Sequence, residues 1–256
     1  MEEAKKKLEE AKKKGAVEEQ EEAIRELEQA KAELEEILRQ LRMEEIMRML
    51  AMLEARFRKM LDMQRDVYEK TVRLGAVPVD DRTYNHEIEA SRLSGKETEI
   101  VVEADKALLL LREDGTAVAF PEALRQVRED MQQVVFRLAQ VKVGEITQGI
   151  EEDIIAALEE MIEALQKAQE DMEAQQQQSQ PSQSQPQDPP LVDLLAEIKM
   201  IRALQMRVNT RTDRYSKLIE GEQAERLELI EALKKLAERE QRIHEVTRDL
   251  EMERNR

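Results

Sequence analysis

Two histidines, His86 and His244, are the only side chains here whose ordinary titration falls near neutral pH, so they bound the acid–base chemistry open to the chain. His86 lies in Asp80-Asp81-Arg82-Thr83-Tyr84-Asn85-His86-Glu87, a polar run that could in principle hold a metal or serve a hydrolase. Nothing supplies a second ligand at zinc-type spacing, and a solvated helix start accounts for the same residues. Arg248 stands where a second histidine after His244-Glu245 would complete a zinc-binding helix. Paired carboxylates such as Glu151-Glu152-Asp153 read as the solvated face of an acidic helix. There is no phosphate-binding glycine loop, nucleophile elbow or calcium-loop pattern, and with no cysteine there is no thiolate nucleophile, thiolate zinc site or disulfide framework. The expectation is a non-enzyme without cofactor, metal or inferred small-molecule ligand.

The elements that would position such residues are helices. Charged side chains make up 38% of the 256 residues and aromatics only 2%, a mixture of strong helix formers poor in the large side chains that line ligand pockets. The net charge of -16 argues against a protein that coats nucleic acid, whose affinity rests on Lys and Arg. The longest apolar runs, such as Ala107 to Leu111, are far too short to span a bilayer. The first residues lack the apolar core of a secretory signal, which makes the cytoplasm the default compartment; a truncated start would leave the bacterial envelope open.

Residues 1–16 carry the repeat Glu-Glu-Ala-Lys-Lys-Lys and predict a charged, frayed helix broken at Gly15. Residues 17–75 predict a long coiled-coil helix. Ile24, Leu27, Leu34, Leu38 and Leu41 share one face; after a phase slip the seam resumes through Ile46, Leu50, Leu53, Phe57, Met60, Gln64, Val67 and Thr71, until Gly75 and Pro78 stop it. Met47, Met60 and Met63 lie on or beside this seam, whereas Met43, Met49 and Met52 widen the apolar surface beyond what a two-stranded coil needs, which implies burial by further helices or a partner. Residues 76–144 read as an irregular region of short helices: a capping box at Ser94 and Glu97 opens one, Asp114-Gly115 ends it, and Pro121 sits in the first turn of the next. Thr116 to Phe120 is a candidate short extended stretch.

Residues 145–174 form an acidic helix whose one base is Lys167, and 175–190 are a Gln/Ser/Pro linker of disordered composition. Residues 191–256 predict a second long coil through Leu194, Ile198, Ile201, Gln205, Val208, Tyr215, Leu229, Leu233 and Leu236, with a kink or hairpin turn at Gly221. Its first half is basic, so the acidic helix should pair antiparallel with 191–220 across the linker, held mainly by the apolar seam. Met60, Gln64, Val67 and Thr71 also stand over Ile201, Gln205, Val208 and Thr212 at an offset of 141; this is either an internal repeat, with Gln64 and Gln205 side by side as polar layers, or the agreement any two heptad helices show.

Ser94-Gly95-Lys96-Glu97-Thr98-Glu99-Ile100 and Met200-Ile201-Arg202-Ala203-Leu204-Gln205-Met206-Arg207-Val208-Asn209-Thr210 carry a resemblance to uncharacterised bacterial helical proteins with a Gln/Pro linker between coiled segments. That resemblance brings no activity and no functional residue. The fold expected is all-α, with elongated antiparallel helical hairpins in a coiled-coil bundle and one disordered linker. The function expected is a structural or adaptor protein that contacts another protein or itself, through a seam of Met43, Met47, Leu50, Leu53, Phe57, Met60, Gln64, Ile198, Ile201, Gln205, Val208, Tyr215, Leu229, Leu233 and Leu236. A client-holding chaperone or sensor-like bundle is the alternative, and a hydrolase using His86 a further one.

Overall fold

A computed structural model describes residues 1–9, 13–177, 190–219 and 227–252, and every regular element among them is helical. The helices are α1 (Glu2–Glu9), α2 (Lys13–Gly75), α3 (Tyr84–Asp114), α4 (Ala119–Ala139), α5 (Glu145–Gln177), α6 (Leu194–Ser216) and α7 (Leu227–Glu251), with a 3-10 turn at Val79–Asp81. The all-α expectation therefore holds, in the form of a helical bundle. No helix among the described residues is long and apolar enough to cross a membrane. The chain divides into two compact units, residues 1–47 with 179–189, and residues 48–178 with 190–256.

In the first unit, α1 and the first part of α2 are charged helix. α2 runs through Gly15 without a break, which corrects the expected stop there: one glycine costs a helix only about 1 kcal/mol, less than ending it would. Local pairs brace this arm at three- and four-residue spacing, such as Gln29 to Glu33 at 2.9 Å and Arg39 to Glu36 at 2.7 Å.

In the second unit, residues 48–75 of α2 run antiparallel to both α3 and α5. Arg56 and Lys59 reach Glu103 while Lys96 reaches Asp66; Gln166 meets Glu54 while Thr71 meets Glu151. α3 and α4 form the next antiparallel pair, with Arg128 on Asp105 and the Ser94 hydroxyl donating to the Val135 carbonyl. α4 and α5 complete an up-down-up-down four-helix bundle around Leu50, Leu53, Phe57, Met60, Leu93, Ile100, Leu124 and Met131, all fully buried.

The region 76–144 is thus not a set of short elements. α3 has 31 residues and α4 has 21, and Ser94 with Gly95 lies inside α3. The real cap of α3 is Thr83, whose backbone N–H donates to His86 Nδ1 at 2.9 Å. Burial of Leu93, Ile100 and Ala104 along one face outweighs the local capping signal of Ser94 and the low helix propensity of Gly95. Gly115 does end α3, in the left-handed conformation at φ 70°, and Pro121 stands in the first turn of α4. Thr116–Val118 is irregular, with α4 beginning at Ala119, so no strand forms there.

The expected single coil over 191–256 is two helices. α6 and α7 pack antiparallel, Tyr215 against Leu229 and Leu236, with Gln205 donating to Glu240 at 2.8 Å. Residues 220–226, and with them the kink or turn placed at Gly221, lie outside the described residues. Heptad phase is preserved across a hairpin as readily as along a rod, so the pattern could not separate the two. The expected pairing of α5 with α6 is present, with ion pairs along it: Arg207 on Glu160, Arg211 and Arg214 on Asp153. Linker residues 178–189 lie outside the described residues, and α5 continues to Gln177.

Candidate functional site

Val17, Ile24, Leu27, Leu34, Ile37, Leu38 and Leu41 on α2 are 47–65% exposed, an apolar stripe in the first unit interrupted at Gln20 and Lys31. Scattered exposed leucines are ordinary; one helix face of them over about 25 residues, roughly 37 Å, is not. Past the phase slip the seam changes character: Ile46, Leu50, Leu53, Phe57, Met60 and Gln64 are fully buried. The interaction seam expected from sequence begins only at Met43 and leaves the exposed stripe out; its Leu50, Leu53, Phe57, Met60 and Gln64 belong to the chain's own core. Met43 and Met47 are half-buried.

In the C-terminal seam, Val208, Tyr215, Leu229 and Leu236 are buried within the chain, with Leu233 packed against them. Gln205 and Ile201 are half-buried, and Ile198 is half exposed. Gln205 bonds Glu240 on α7, whereas Gln64 faces Glu97 on α3, so the two glutamines do not form a shared polar layer.

Ile198 and Ile201 line a half-open groove of about 450 Å³ with Val118, Val192, Leu194, Leu250 and the buried carboxyl of Glu197. Glu197 reaches across from α6 to cap α4: its Oε2 accepts the N–H groups of Val118 at 3.0 Å and Ala119 at 2.5 Å. Burial raises this carboxyl and the backbone donors oppose the rise; its Oε1 is buried without a hydrogen-bond partner.

Two charged clusters lie inside the second unit. Asp130 on α4 is held by two bidentate guanidiniums, Arg211 of α6 at 2.8 and 2.6 Å and Arg239 of α7 at 3.0 and 2.6 Å. Burial alone would raise Asp130, but the two arginines outweigh it and hold the carboxylate well below its ordinary range. The same carboxylate raises the Arg211 guanidinium further. The second cluster, Gln64 and Thr71 of α2, Glu97 of α3 and Glu151 of α5, contains no base, and all four are 0% exposed. Burial pushes Glu97 well up and Glu151 to about 8.

Neither cluster was singled out from sequence. The signal was nevertheless present: Glu97 falls between Leu93 and Ile100 on the buried stripe of α3, and Glu151 lies one turn before Ile154 on that of α5. His86 accepts the capping bond from Thr83, and His244 is exposed. Among the described residues no three His, Cys, Asp or Glu side chains converge as a metal-binding group.

No family model, curated protein or solved structure matches the chain.

Proposed function

We propose that this chain is a helical adaptor that self-associates through the N-terminal arm of α2, pairing its apolar stripe in parallel with that of a second copy. The observation that supports it is the exposed stripe itself, together with the residue types along it. Reading heptads, Val17, Ile24, Lys31 and Leu38 fall at one seam position and Gln20, Leu27, Leu34 and Leu41 at the other. β-branched Val17 and Ile24 at the first position with Leu27, Leu34 and Leu41 at the second favour two parallel strands, and the single Lys31 at the first fixes register at some cost in stability.

The flanks agree. In a parallel pair the facing edges would be Ala23, Ala30 and Ile37 against Glu28, Glu35 and Arg42, which brings no like charges together. An antiparallel pair would set Glu28 and Glu35 of one copy against those of the other. Burying the remaining exposed half of each large side chain contributes roughly 1 kcal/mol apiece, and after the cost of association this places the dimer roughly in the micromolar range.

Light scattering of the intact chain from about 1 to 200 µM tests this: the mass should rise from 29.8 kDa to twice that value. Leu34→Lys with Leu38→Lys should remain at the lower mass with an unchanged four-helix unit. A wild type that stays monomeric throughout would reject the proposal.

A further inference from the structure

The cluster of Gln64, Thr71, Glu97 and Glu151 contains most of the buried side-chain atoms that lack a hydrogen-bond partner among the described residues: both oxygens of Glu97, Oε2 of Glu151, and both polar atoms of Gln64. Native cores leave few such groups, and each calls for water, an ion or a proton. Four of these five atoms are oxygens, which accept. Bases on the surrounding helices are engaged elsewhere: Lys70 of α2 and Lys96 of α3 on Asp66, Arg65 of α2 on Glu159, and Arg137 of α4 on Thr147.

The Thr71 hydroxyl lies 3.0 Å from the Val67 carbonyl and 2.8 Å from Glu151 Oε1, but it has one proton. If it donates to Val67, Glu151 must donate to it and is protonated. If it donates to Glu151 Oε1, that oxygen only accepts, and the carboxyl is either protonated at its unpartnered Oε2 or charged and in need of a counter-ion.

We infer that Gln64, Thr71, Glu97 and Glu151 form a binding site for a small hard divalent cation of the Mg²⁺, Mn²⁺ or Ca²⁺ class. Two carboxylates balance a charge of +2, and with the carboxamide and hydroxyl oxygens they make an all-oxygen donor set, the kind such ions take and softer metals do not require. Helix bundles build metal sites in this way, from side chains projecting inward off facing helices. The coordination step is balanced by proton release: two carboxylic acids each give a proton to the buffer as the ion binds both carboxylates, so affinity rises with pH.

The test is calorimetric titration of the intact chain at pH 7.5 with MnCl₂, MgCl₂ and CaCl₂ separately, in two buffers of different ionisation enthalpy, beside thermal unfolding followed by circular dichroism. At least one ion should bind with one-to-one stoichiometry, release between one and two protons, and at saturation raise the unfolding midpoint by about 5 °C. Glu97→Gln, which keeps the shape and removes a charge, should fold and lose all three responses; Glu151→Gln provides the same reading if the first variant does not fold. No binding of any of the three ions at millimolar concentration would overturn the inference, as would an undiminished response in the folded variant, which would place the ion on surface acids.

Discussion

Replacing Asp130 by Asn tests whether one buried carboxylate joins the α6–α7 hairpin to the bundle. Asp130 is 4% exposed, and its two oxygens take four hydrogen bonds from Arg211 and Arg239. Arg211 and Arg239 are themselves 4% and 7% exposed. The isosteric amide leaves two desolvated guanidiniums facing a group that is half donor. Arg211 retains Asp153, but Arg239 keeps only the Gln126 carbonyl at 3.3 Å and Glu129 at 3.7 Å. Breaking a buried ion pair from one side costs about 3–5 kcal/mol. For a chain of this size that corresponds to a midpoint lowered by about 10 °C. Urea and thermal unfolding by circular dichroism measure it, with limited proteolysis showing whether α6 and α7 are released first. The same physics predicts that Asp130→Leu, Arg211→Met and Arg239→Leu together recover most of the loss, since a packed apolar trio carries no desolvation cost. A loss below about 1 kcal/mol for the single variant, or a triple variant worse than the single, would refute the reasoning.

Glu97 and Glu151 give stability an inverted pH dependence in chelated buffer. Their folded values lie above the ordinary 4.5, so their contribution is complete below that range and is lost as the pH climbs through the folded value, about 8 for Glu151. Wild type should lose roughly 2–4 kcal/mol between pH 6 and 9, and Glu151→Gln should flatten that slope in urea titrations. Glu197→Ala removes the carboxylate that caps α4 from α6 and should cost about 1–2 kcal/mol, read by the same unfolding curves. Val141, in the turn between α4 and α5, sits at φ 57°, where a β-branched residue is strained; Val141→Gly should stabilise by about 1 kcal/mol.

The helices were legible because their seams repeat: Leu50 to Thr71, Ile150 to Leu165 and Leu194 to Leu236 each fall on a helical face. Their partners were not legible. The same three-and-four spacing describes Leu34, which is exposed, and Leu53, which is fully buried, because periodicity records a face and not what covers it. For the same reason the heptads left the region of Gly221 open between a kink and a hairpin, and only the packing of α6 on α7 decides for the fold-back. Local capping rules failed at Ser94, where the burial of Leu93 and Ile100 on the same face overrides them, and succeeded at Gly115, where only a left-handed residue closes α3. The charged clusters escaped notice because Asp130, Glu97 and Arg211 look like surface residues in a chain so rich in charge. Only their positions on the buried stripes distinguish them.

Oxidative crosslinking of Leu41→Cys tests the parallel pairing of the α2 arms most directly, because the chain has no other cysteine. In a parallel, in-register pair the two introduced thiols face each other at about 6 Å between Cα atoms, within reach of a disulfide. In an antiparallel pair centred near Lys31 they would be about 30 Å apart. The account predicts near-complete conversion to a disulfide-linked species of twice 29.8 kDa under mild oxidation at about 100 µM. A chain that stays at the single mass, or crosslinks no faster than with a cysteine at the exposed, off-stripe Arg39, would contradict it.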